Sequence, residues 1–177
     1  MAQLTGRGSG PSAAPVRSSL MIASLMNAPV IRIAGVADAP ALAALRRAWT
    51  AEQYGEADDE GFEARFLDWF ERESARRVTW VAEVPGAVVG MVNLAAFDRM
   101  PGPGWDASSW GYLSNAFVLA PYRGQGIGSL LLRALLGYAD EHGYVRVVLH
   151  PSERAIPLYE RFGFSGWESL LVRHLPG

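Results

Sequence analysis

Arg123-Gly124-Gln125-Gly126-Ile127-Gly128-Ser129 is the stretch on which the reading of this chain turns. Before it lies Trp110–Leu119, a Val- and aromatic-bearing run that reads as a long strand. After it, Ile127, Leu130, Leu131, Ala134, Leu135 and Tyr138 recur at helical spacing on one face. Gly143 ends that helix as a C-cap. Tyr144–Leu149 is then almost continuously apolar, as a buried parallel strand should be. A strand, a helix and a second strand in this order make a crossover, which requires the two strands to be parallel.

Working outward, Pro85-Gly86 separates Val78–Val84 from Ala87–Phe97, two alternating runs that read as a β-hairpin. Asp98 to Ser109 carries Pro101, Gly102, Pro103 and Gly104 and reads as a loop. Further upstream, Val30–Ala34 is a short strand. Asp38 is placed to cap a helix with Pro40 in its first turn and Leu42, Leu45 and Trp49 on one face. Phe62, Phe66, Leu67, Trp69 and Phe70 mark a second helix whose aromatic side either packs a core or lines a pocket. Downstream, Ser152 is placed to cap a short helix through Arg161, closed by Phe162-Gly163-Phe164, and Trp167–Leu175 is a last strand. The expectation is one α/β (α+β) domain over residues 29–177, a mixed sheet of about six to seven strands flanked by about four helices. Residues 1–28, rich in Gly, Ser, Ala and Pro, read as a disordered tail.

The composition excludes several chemistries. The chain has 177 residues and net charge −2, with no cysteine, and all 16 basic residues are arginine. There is no thiol nucleophile, no thiolate zinc site and no lysine for a Schiff base or a phosphate loop. No metal is expected. The balanced charge argues against nucleic acid as a partner. No apolar run reaches membrane-spanning length. The short apolar stretch Leu20–Met26 makes a poor secretory leader, so a cytoplasmic location is expected. A homodimer is left open.

The glycine stretch joins a strand to a helix N-terminus, where unpaired backbone N–H groups and the positive end of the helix dipole favour a phosphate. It is not a P-loop, because Gly128 runs into Ser129 without a lysine. Nor is it a dinucleotide fingerprint, because Ser129 stands where the third glycine is needed. An unliganded glycine turn and a nucleotide-binding module remain as alternatives.

The Arg-x-x-Gly-x-Gly pattern from Arg123 to Gly128 after a Val-bearing strand resembles the acyl-CoA loop of the GNAT superfamily of N-acyltransferases. The segment Ser152 to Phe164, with Ala155, Leu158, Tyr159, Gly163 and Phe164, resembles a second motif of the same family, and the element order agrees from Ile31 to the C-terminus. The resemblance implies transfer of an acetyl group from acetyl-CoA to a primary amine, on a small molecule or a protein, by direct attack in a ternary complex. It implies that Phe117 and Val118 lie on a splayed strand that pairs with the pantetheine arm. Arg123, Gly124, Gln125, Gly126, Gly128 and Ser129 would hold the pyrophosphate, and Tyr159 would protonate the departing thiolate. Ser152 occupies the position of the family's asparagine and is carried over as a cofactor contact of shorter reach. A non-catalytic acyl-CoA-sensing domain of the same fold is the alternative.

The remaining candidates come from the residues themselves. Glu83, Asp98 and His150 are the candidates for a general base. Trp110, Tyr112 and Asn115 are candidates to line an acceptor pocket, and Asp58, Asp59 and Glu60 form an acidic cluster near the helix junction.

Overall fold

The computed structural model describes residues 28–166. The expected tail, up to residue 27, and the expected strand Trp167–Leu175 lie outside the described residues. Within them, five strands form one sheet in the order β1 (Val30–Ile33), β2 (Arg77–Val84), β3 (Ala87–Asp98), β4 (Ser109–Val118) and β5 (Val147–Val148). That is fewer than the expected six to seven. Pairing is antiparallel through β4 and parallel between β4 and β5. Four α-helices accompany it: α1 (Ala39–Tyr54), α2 (Phe62–Glu73), α3 (Ile127–Glu141) and α4 (Ile156–Glu160).

The central strands β2 and β3 are apolar on both faces because both faces are covered. One face carries Trp80, Ala82, Val92 and Leu94 against Ile127, Leu131 and Leu135 of α3. The other carries Val81 and Met91 against Leu42 and Leu45 of α1 and Phe70 of α2. Helix α3 keeps the expected stripe, with Leu132 and Ala139 also buried. It ends in a Schellman motif: Gly143, at φ +65°, donates to the Asp140 carbonyl at 3.1 Å, and Tyr144 donates to Ala139 at 2.9 Å. The Pro85-Gly86 hairpin forms as read, with Gly86 at φ +83°.

Several local expectations are corrected. The Asp38 side chain does not cap α1. It accepts the Gly35 N–H at 2.8 Å and both terminal nitrogens of Arg32 at 2.7 and 2.8 Å, which closes the turn after β1. Leu67 faces solvent on α2. Strand β5 has only two residues of the six-residue apolar run read as a strand.

The α2–β2 junction is closed by Glu73, whose side chain is nearly buried and accepts from Arg76 (2.6 and 3.0 Å) and Arg77 (2.8 Å). These hydrogen bonds hold its carboxyl down to about 2. A depressed folded-state value contributes stability above the ordinary carboxylate range that is lost as pH falls through about 2. Glu73→Gln should therefore lower Tm by a few degrees at neutral pH. The gap from the wild type should close as pH falls from the ordinary carboxylate range toward about 2 in calorimetry. A gap that persists unchanged would contradict this role.

Candidate functional site

The site begins where β4 loses its second neighbour. Only Gly111 and Tyr112 pair with β5, at Val147 and Val148. From Leu113 to Val118, β4 has β3 on one side and no strand on the other among the described residues. Close pairing at Gly111 needs the missing Cβ, which would fall 2.5 Å from Leu94 Cδ1.

Before it ends, β4 carries a bulge. The register runs Asn93↔Ser114 and then Met91↔Phe117, so β4 holds an extra residue across Asn115 and Ala116. Asn115 sits at φ +53°, a left-handed conformation that asparagine tolerates better than most residues. The bulge turns β4 between two cavities that share Met91 and Val92 in their walls.

The smaller cavity, about 110 Å³, lies on the α3 side, between the open part of β4 (Ala116, Phe117, Val118) and Gly128, Leu158 and Tyr159. Tyr159 is 8% exposed and meets the ring of Phe164 edge-on at 5.7 Å. Its hydroxyl has no hydrogen-bond partner among the described residues, and no buried side-chain oxygen there is left unsatisfied, so the hydroxyl opens into the cavity. Burial pushes the phenol above its ordinary value, so it remains a proton donor throughout the neutral range.

Just before Gly128, which lines this cavity, Gly124 and Gly126 take φ +75° and +82°, which L side chains rarely adopt. The backbone N–H groups of Gly124, Gln125 and Gly126 donate to nothing among the described residues. They precede the free N–H groups of the first turn of α3, which contains Gly128 and Ser129. This is a cradle of main-chain donors for an anion, and a pyrophosphate fits its chemistry.

Arg123 is engaged elsewhere. Its Nε donates to the Val118 carbonyl at 2.7 Å and its terminal nitrogens clasp Glu52 of α1 at 2.7 and 2.6 Å. The pairing holds the Glu52 carboxyl below the usual carboxylate range. The guanidinium also lies 5.4 Å from the Phe117 ring, which stacks on Trp49 at 6.2 Å. Arg123 thus ties the glycine loop to α1 and to the open end of β4. Sequence reading missed Glu52, because its partner lies 71 residues away with no local signal.

Ser152 stands at the N-cap position of the turn before α4, but its hydroxyl makes no capping bond. It is exposed and lines neither cavity. The base candidates are not brought together. Glu83 pairs with Arg32 at 2.7 Å, Asp98 accepts from Ser109 at 2.8 Å, and His150 is exposed two residues beyond β5.

The larger cavity, about 340 Å³, lies on the opposite face between α1, α2 and β2–β4. Phe62, Phe66, Trp69 and Phe70 form its wall, so the aromatic side of α2 lines a pocket as well as a core. Asn115 lines it as expected. Trp110 and Tyr112 do not, and Trp110 stacks on Phe97 at 4.7 Å instead. In the acidic cluster, Asp59 pairs with Arg65 at 2.5 Å, and Asp58 and Glu60 are exposed. Among the described residues no helix is long and apolar enough to cross a membrane.

A sequence model of the acetyltransferase (GNAT) family matches residues 42–164. This chain belongs to that family. Among curated relatives, N-acetyltransferase family 8 member 2 of Rattus norvegicus is 36% identical over 88 residues, covering 48% of this chain and 37% of that protein. Glucosamine 6-phosphate N-acetyltransferase of Trypanosoma brucei brucei is 30% identical over 83 residues, covering 47% of this chain and 54% of that protein. The chain thus spans about half or less of the length of these relatives. A predicted acetyltransferase of Clostridium acetobutylicum, solved with acetyl-CoA, superposes with a TM-score of 0.69 at 22% identity, over 82% of this chain and 96% of that one. That likeness shows the fold.

A Cβ at Gly126 strains the positive φ by about 1–2 kcal/mol. Relief of that strain requires the loop to turn, which carries its N–H groups out of the cradle. Gly126→Ala should therefore raise the Kd for CoA about tenfold in calorimetric titration, with little change in Tm. An unchanged Kd would separate the glycine loop from anion binding.

Proposed function

We propose that the chain transfers an acetyl group from acetyl-CoA to a primary amine by direct attack in a ternary complex. The observation that carries this reading is the Tyr159 hydroxyl, unpartnered and facing the open stretch of β4 across the smaller cavity. Acetyl-CoA supplies an activated acetyl group. The N–H groups of Gly124, Gln125 and Gly126 and of the first turn of α3, with Gly128 and Ser129, bind its pyrophosphate. The backbone at Phe117 and Val118 orients the pantetheine arm and the acyl carbonyl. Arg123 is a positioning residue in this reading, fastening the loop to β4 through Val118.

The two cavities flank the bulge and share Met91 and Val92 in their walls, and in this reading donor and acceptor are held together across it, so the attack becomes effectively intramolecular. The amine lone pair attacks the carbonyl carbon and the carbon–sulfur bond breaks. Its electron pair leaves on sulfur, which takes the Tyr159 proton. The nitrogen loses its extra proton to water, and water restores the phenol. Without cysteine, no acyl-cysteine intermediate can intervene.

The Trypanosoma relative is named for glucosamine 6-phosphate, which belongs in any first panel of amines beside amino acids, aryl amines and peptide N-termini. Tyr159→Phe should lower kcat at least tenfold while the Kd for acetyl-CoA stays within about twofold, measured by thiol release and calorimetry. Unchanged kcat would remove the acid role. Binding of acetyl-CoA with no turnover on any amine would favour the sensing domain.

A further inference from the structure

The larger cavity specifies more about its occupant than that it is an amine. Its volume of about 340 Å³ is in the range of small-ligand sites. Phe66 lies 5.8 Å from Phe62, 5.6 Å from Trp69 and 6.3 Å from Phe70, so one wall is a continuous aromatic array. Such a wall favours a ring or a large apolar body. A small hydrophilic amine would leave this surface wetted.

The charge in the cavity has one sign. Arg46 and Arg65 both line it, and no aspartate or glutamate does among the described residues. Arg65 is neutralised by Asp59. Arg46 has no carboxylate partner there. Its guanidinium carbon lies over the Trp49 ring at 4.3 Å, which holds it in place and leaves its N–H donors unused among the described residues. A guanidinium so held suits a carboxylate, which it can meet through two parallel hydrogen bonds.

The opposite requirement, a seat for the amine, falls at the bulge. Asn93 is committed to Thr79 at 2.8 Å. Asn115 uses only its amide nitrogen, toward Ser114 at 3.4 Å. Its Oδ1 is free among the described residues to accept an amine N–H, beside the segment of β4 that also borders the Tyr159 cavity.

We infer that the acceptor is a primary amine with a ring-bearing apolar body and a carboxylate, the carboxylate on Arg46, the ring against Phe66 and Trp69, and the amine at Asn115. This rests on the acetyl-transfer reading above and names its substrate class. An acceptor with a second cation in place of the carboxylate is disfavoured by the uncompensated charge of Arg46.

The test uses the full chain with acetyl-CoA and three matched amines: phenylethylamine, para-(aminoethyl)benzoate and para-(aminoethyl)benzylamine. The expected order of kcat/KM is carboxylate first, neutral second and dication last, with about tenfold between the first two. Arg46→Gln retains helix propensity and should collapse the preference for the carboxylate over the neutral amine to about unity, while Tm stays near wild type. Equal kcat/KM for carboxylate and neutral amines, or a preference that survives Arg46→Gln, would overturn the inference.

If no amine is turned over, the transfer reading fails, and calorimetry with the same amines on the CoA-bound protein still decides the cavity. Tighter binding of the carboxylate amine that is lost in Arg46→Gln supports the inference. Equal binding, or none, overturns it.

Discussion

Strand β4 cannot satisfy both of its edges. Its antiparallel partner β3 takes one edge along most of its length, while β5 takes the other only at Gly111 and Tyr112. Backbone N–H and C=O groups on a strand must find partners, and an unpaired stretch is a template for another extended chain. The chain protects that edge without closing it. Arg123 takes the Val118 carbonyl and is itself clasped by Glu52, so the end of β4, the start of the glycine loop and α1 are tied together. The loop, the Tyr159 cavity and the bulge all take their positions from this arrangement.

The bulge explains how one strand borders two cavities. An unbroken β4 would send alternate side chains to the two faces with no passage between them. The extra residue across Asn115 and Ala116 re-aims the strand, leaving Asn115 in the aromatic cavity and Ala116–Val118 in the Tyr159 cavity. In the proposed reaction the acceptor and the thioester approach from opposite faces of the sheet and meet there. The missing cysteine and lysine fit this scheme, because proximity, main-chain donors and one phenol need neither.

What was legible in the sequence was what the backbone or a period demands. Gly124 and Gly126 announce positive φ, Pro85-Gly86 announces a hairpin, and the leucines of α3 announce a buried stripe. The match of Tyr159 to a family segment led to a side chain that opens into a cavity. What was not legible depends on distant partners. Glu52 and Arg123 meet across 71 residues, and nothing local marks the pair. Asp38 had a capping residue's position but found a stronger partner in Arg32. The apolar run Tyr144–Leu149 satisfied the pattern of a buried strand, yet only Val147 and Val148 form ladder pairs with β4, while Val145 and Arg146 add single backbone hydrogen bonds to Ser109 and Gly111. Asn115 in mid-strand was the one readable sign of the bulge, since asparagine is a poor strand former and tolerates the left-handed region.

The central claim is that the open edge of β4 and the cradle beside it receive acetyl-CoA. A crystal structure of the full chain with CoA tests it most directly. The account requires the pantetheine arm extended along β4 between Leu113 and Val118, its sulfur within hydrogen-bond reach of the Tyr159 hydroxyl. It also requires the pyrophosphate on the N–H groups of Gly124, Gln125 and Gly126. CoA bound on another face, or a sulfur remote from Tyr159, would contradict it.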